Sequence, residues 1–124
     1  MVCNEIVSRA NFQTKAVKQN AHGFFVFRYM KLDKNRKKID RVDARILVLL
    51  QRRADIVREI GELKREDGRP IVDRKRENEV IRRVAEYNGG LLPEQAVTRI
   101  YRAILRESRQ MQRDLADHVE GVRL

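Results

Sequence analysis

Between Leu32 and Ile60 the chain contains neither glycine nor proline, and its apolar residues return in steps of three and four. Ile39, Val42, Ile46, Leu49, Leu50, Ile56, Val57, Ile60 and Leu63 form one stripe at the period of an α-helix face. Two cations share it. Arg53 lies four residues after Leu49 and four before Val57, and Lys64 lies four after Ile60. Long cations belong on the wet face of an amphipathic helix, so their place in the apolar stripe calls for an anionic partner. With Asp33 as an N-cap, this pattern predicts a helix from about Asp33 to Glu66. That is roughly 34 residues or ~50 Å, a length that a short chain cannot cover by itself. Gly61 costs such a helix about 1 kcal/mol relative to alanine and suggests close packing at that point.

The run Asp67-Gly68-Arg69-Pro70 carries the stop signals for this first helix. Asp73 then suits the N-cap of a second helix, whose stripe is Val80, Ile81, Val84 and Tyr87, ended by Asn88-Gly89-Gly90. Pro93 suits the first turn of a third, with Val97, Ile100, Tyr101, Ile104, Leu105, Met111, Leu115 and Val119 on one face. The fold class expected is all-α: one long helix and two shorter ones. Residues 30–119 form the helical domain, residues 1–29 a loose, flexible extension and residues 120–124 a tail. Within the extension, the FFVF run after His22-Gly23 offers a short strand or an apolar plug as alternatives. Met30 offers an alternative start of translation, which would make residues 1–29 a leader.

Each helix carries polar groups where its own pattern asks for apolar ones. Arg53 and Lys64 do so on the first, Glu77 on the second, and Ser108 and Gln112 on the third. An unpaired charge in a core costs several kcal/mol, so these groups either pair with one another or line a cavity for a polar ligand. The internal alternative pairs Glu77 with Arg53 or Lys64. Two cations against one carboxylate leave surplus positive charge, which suits an anion bearing hydroxyl and ether oxygens. Arg53 and Lys64 are 11 residues apart, about three turns, so both can grip one small ligand. Arg36, 17 residues before Arg53 and roughly 25 Å along the helix, joins such a site only from a second subunit.

The formal charge of +10 would also suit nucleic acid or an anionic membrane. Aspartate and glutamate interleaved with the basic residues dilute any continuous basic stripe, however, and the longest apolar run of the first thirty residues, Phe24–Phe27, is too short for a membrane span or signal-peptide core. Neither a nucleic-acid nor a membrane partner is expected, and the location expected is cytoplasmic. The single cysteine, Cys3, makes an intramolecular disulfide impossible. His22 and His118, the only histidines, lie outside the constellation, so no metal and no cofactor is expected.

From Arg36 to Gln112 the chain resembles the all-helical class of chorismate mutases. The resemblance rests on KKIDRVD after Arg36, LLQRRADI containing Arg53, GELK ending at Lys64, GRPIVD ending at Asp73, the pair Arg76-Glu77, and ESRQMQ from Glu107 to Gln112. Their order and intervals together carry the signal. The resemblance implies an intertwined helical homodimer with shared active sites. It also implies an isomerase that rearranges chorismate to prephenate for phenylalanine and tyrosine biosynthesis. Arg36 of the partner subunit and Arg53 would hold the carboxylates of this dicarboxylate substrate. Lys64 would touch a carboxylate and the ether oxygen, and Gln112 the same ether oxygen. Asp73 and Glu77 would meet the ring hydroxyl, Ser108 a carboxylate, and Arg76 would support the anion. Where family members often carry another basic residue, this chain has Val72.

The rearrangement needs no nucleophile, so catalysis would consist of positioning and of stabilising charge that grows on the ether oxygen. Lys64, Gln112, Arg53 and Glu77 are the candidate catalytic residues. The nearest alternative is an isochorismate-pyruvate lyase of the same fold, and a more distant one is a basic dimeric module that binds nucleic acid. Some helical chorismate mutases work with another enzyme of the aromatic pathway, so a separate regulatory partner is a further alternative.

Overall fold

The computed structural model describes residues 2–122, with side chains from residue 21 to residue 122. Three helices follow one another: α1 (Val2–Glu66), α2 (Arg74–Tyr87) and α3 (Glu94–Val122). No strand occurs among the described residues. The chain divides into two units, Met1–Leu47 and Val48–Leu124.

In the first unit the helix starts far upstream of the expected cap. Asp33 lies inside α1, and its carboxylate meets Lys37 Nζ at 2.9 Å, one turn on. The hydrogen bond that Lys37 donates to Asp33 raises the Lys37 pKa above its usual value. Residues 21–29, expected as a loose segment or a strand, are helical here. Gly23 is the weakest helix former in that run, and a single glycine costs a helix only about 1 kcal/mol, too little to break the ladder of backbone hydrogen bonds. The side chains of Phe24, Phe25, Phe27 and Tyr29 are exposed, as are Ile39, Val42 and Ile46 of the apolar stripe.

In the second unit, the end of α1 follows its sequence signals. Gly68 takes φ 65°, the Arg69 amide donates to the Lys64 carbonyl at 2.7 Å, and the Gly68 amide donates to the Arg65 carbonyl at 3.2 Å. These two bonds form a Schellman cap, which only a residue at ease with positive φ completes without strain. Asp73 caps α2, its Oδ1 accepting from the Arg76 amide at 2.9 Å. Pro93 sits one residue before the first residue of α3, and its carbonyl accepts from the Ala96 and Val97 amides. Helix α2 packs on α3. The core is small: Val57 of α1 with Val97 and Leu105 of α3, joined by one polar side chain, Gln112. Much of the α1 stripe in this unit stays outside it, with Leu49, Ile56, Ile60 and Leu63 exposed. Tyr87, placed on the α2 stripe by its spacing, is also exposed, because α2 ends there and turns away.

Candidate active site

A cavity of about 260 Å³ opens in the second unit, just below the usual range of about 300–1,000 Å³ for small-molecule sites. Seven of the expected site residues line it: Arg53, Lys64, Asp73, Arg76, Glu77, Ser108 and Gln112. Arg36 belongs to the first unit, where its side chain is exposed. Val72 is absent from the lining and lies on a neighbouring groove.

Local structure explains how each group is aimed. Arg53 and Lys64 leave α1 on the stripe that also carries Val57, which is buried, so both heads are drawn toward the protein side of the helix. Arg53 donates to Ser108 Oγ, and Ser108 in turn donates to the Ile104 carbonyl at 2.8 Å, one turn back in α3. A hydroxyl has a single proton. As placed, Ser108 therefore holds Arg53, and it can donate to a carboxylate only by rotating off Ile104. Lys64 Nζ donates to the Ile71 carbonyl at 2.8 Å, which spends one of the three ammonium protons and leaves two.

Gln112 is 8% exposed, and its Nε2 donates to the Val57 carbonyl at 3.1 Å. That acceptor fixes which end of the amide is nitrogen and leaves the second N–H to be given elsewhere. Asp73 orients the start of α2 through its cap, so Arg76 and Glu77 enter the lining from the first turn of that helix.

The expected internal partner of Glu77 was Arg53 or Lys64. Its actual partner is Arg109, whose Nη1 meets Glu77 Oε1 in a part-buried ion pair between α3 and α2. Arg109 also lines the cavity. Sequence spacing held a faint signal for it: Arg109 stands four residues after Leu105 and three before Gln112, on the flank of the apolar stripe. Because Arg109 answers Glu77, the partners found for Arg53 and Lys64 among the described residues are a hydroxyl and a carbonyl, both neutral. Four cations (Arg53, Lys64, Arg76, Arg109) and two carboxylates (Asp73, Glu77) give the lining a formal surplus of two positive charges. Such a cavity takes a small dianion that also offers oxygen acceptors to Lys64 and Gln112.

Comparison with known proteins gives matches in sequence and in fold. The family described as chorismate mutase type II matches residues 35–113. A bifunctional chorismate mutase/prephenate dehydratase of Aquifex aeolicus is 40% identical over 74 residues, which is 56% of this chain and 20% of that protein. The protein of the same description from Neisseria gonorrhoeae is 42% identical over 82 residues, 65% of this chain and 22% of that one. The chain thus spans about a fifth of the length of these relatives. Among solved structures, chorismate mutase (form II) of Thermus thermophilus superposes with a TM-score of 0.66 at 34% identity, covering 67% of this chain and 94% of that one.

Proposed function

The chain belongs to the chorismate mutase type II family, and from that premise we propose that it rearranges chorismate to prephenate at the cavity of Arg53, Lys64 and Gln112. The observation that carries the reading is the pairing inside the cavity. Glu77 is neutralised by Arg109, while Arg53 and Lys64 face the same space from neutral anchors. Chorismate is a dicarboxylate, and its two carboxylates match the two lining cations, Arg53 and Lys64, that are held by neutral partners, Arg76 and Arg109 being paired with Glu79 and Glu77.

Arg53, pinned by Ser108, grips a carboxylate in a fixed orientation. This holds the flexible substrate in the compact conformer in which the new carbon–carbon bond can form as the ether bond breaks. Negative charge grows on the ether oxygen as that bond lengthens. Lys64 and Gln112 donate to it, and their anchors on the Ile71 and Val57 carbonyls hold them in place before the reaction starts. A donor that needs no reorganisation is worth about 10²–10³ in turnover. Asp73 and Glu77 meet the ring hydroxyl, and Arg76 adds to the positive field.

The site is completed by Arg36 of the partner subunit in an intertwined homodimer. Support for a dimer comes from the apolar residues that one chain leaves exposed: Ile39, Val42 and Ile46 in the first unit, Leu49, Ile56, Ile60 and Leu63 in the second. The family match over residues 35–113 falls within the domain assigned to residues 30–119. Incubation of the pure protein with chorismate, following its loss and the appearance of prephenate, tests the reaction. Production of salicylate and pyruvate from isochorismate, with no prephenate from chorismate, overturns it in favour of the lyase.

A further inference from the structure

A site shared between two copies fixes how their first helices meet. In a parallel two-fold pair each residue faces its own copy, so Arg36 can reach the Arg53–Lys64 cavity of the other subunit only if the helices run antiparallel. In that register, each step toward the N-terminus of one copy is a step toward the C-terminus of the other. Phe24–Tyr29 lie 7 to 12 residues upstream of Arg36. They therefore face the end of the partner's α1, from Ile60 to Glu66, and, because α1 stops there, the turn of residues 67–73 that caps it.

Both surfaces carry exposed apolar residues, those of residues 60–72 set among the charged Lys64, Asp67, Arg69, Asp73 and Arg74. Ile60, Leu63 and Val72 are exposed and, with Pro70, line a groove of about 860 Å³. Lys64 and Asp73 line both this groove and the cavity of the proposed site, so whatever fills the groove also walls that cavity. On the other surface, Phe24, Phe25, Phe27 and Tyr29 are each more than half exposed. Phe25, Leu32, Ile39 and Ile46 recur every seven residues, so the seam of the α1 stripe continues back through Phe25. Phe25 and Tyr29, one turn apart on the seam face, supply on the order of 300–500 Å² when buried. That is a large part of the ~800 Å² that each partner gives to a specific interface.

We propose that the aromatic run Phe24–Tyr29 of one copy, with Phe25 in the seam, docks in the Ile60–Leu63–Pro70–Val72 groove of a second copy and walls its active site beside Lys64 and Asp73. The occupant is a second copy of this chain, and the proposal rests on the shared-site reading above. Excluding water at this wall strengthens the hold of Lys64 on a carboxylate.

The test places a benzophenone side chain at Phe25 in the full chain and mixes it, by co-refolding, with isotopically heavy chain that lacks the probe. After irradiation, mass spectrometry of the peptides reads which residue of which copy is attached. Light–heavy cross-links at residues 60–73 are expected. Attachment elsewhere on the heavy copy, attachment within the light chain alone, or a monomeric mass in solution overturns the proposal. Prephenate formation is measured on the same sample before irradiation. Cross-links at residues 60–73 without prephenate leave the docking standing and remove the function, whereas prephenate with cross-links elsewhere does the reverse.

Discussion

Gly61 of α1 faces Gln112 of α3 so closely that a Cβ built on the glycine lies 3.1 Å from Gln112 Cγ. The amide of Gln112 reaches past it to the Val57 carbonyl, one turn back on α1. The absent side chain at position 61 thus makes room for the buried donor at position 112. Gly61→Ala has two opposed effects. Alanine favours the helix by about 1 kcal/mol, but its methyl must push Gln112 back by a few tenths of an ångström. Since a misplacement of 1 Å can cost about 10²-fold, kcat is expected to fall by roughly three- to tenfold while the thermal midpoint changes little. Unchanged kcat would show that the position of Gln112 is not critical.

Gln112→Glu converts a donor that works at every pH into one that donates only when protonated. The new carboxyl would be buried and would face the Val57 carbonyl, and both effects raise its pKa. The group then carries its proton below the raised pKa and loses it as pH rises through that value. Activity and thermal stability of the variant should both fall from pH 5 to pH 8, whereas the parent retains both. A pH–rate profile parallel to the parent's removes Gln112 from the reaction.

Arg53→Ala deletes the cation held by Ser108 and should lower kcat/KM by about 10²–10³. Ser108→Ala should cost less, on the order of tenfold, because the guanidinium remains and only its orientation is freed. Similar losses in the two variants would indicate that Ser108 itself contacts the substrate. Steady-state kinetics on chorismate separates these outcomes.

Arg109→Ala leaves Glu77 without its partner and returns a negative charge to the cavity. KM for the dianion should rise several-fold, and Glu77→Gln in the same chain should recover part of that loss. Both side chains are about a quarter exposed, so the coupling in a double-mutant cycle should be near 1 kcal/mol. Zero coupling would mean that the pair is ornamental to binding.

Mixing Arg36→Ala chains with Arg53→Ala chains tests the shared site directly. In a mixed dimer both substitutions fall in one site and the other is intact. Random association makes half of the dimers mixed, so two nearly inactive parents should regain about a quarter of wild-type activity. No recovery after verified subunit exchange would place Arg36 and Arg53 in the same subunit's site.

The sequence alone determined where the helices stop and start between Glu66 and Glu94, and which residues interrupt their apolar faces. These depend on interactions within a turn or two. The Gly68 cap, the Asp73 cap and the 3.6-residue period are local, and so they are legible. The expected start at Asp33 failed for a related reason: a capping residue only marks a helix end if the ladder has cause to break, and here Asp33 pairs with Lys37 inside a continuous helix. The tertiary structure decided which of the interrupting groups meet. Ser108 and Gln112 reach bonding partners 55 residues away, on α1, and Arg109 reaches Glu77 across 32 residues. Periodicity assigns a residue to a face, but the rotation and crossing of packed helices select its neighbour. That selection gave Glu77 to Arg109 and left Arg53 and Lys64 facing a shared cavity from neutral anchors.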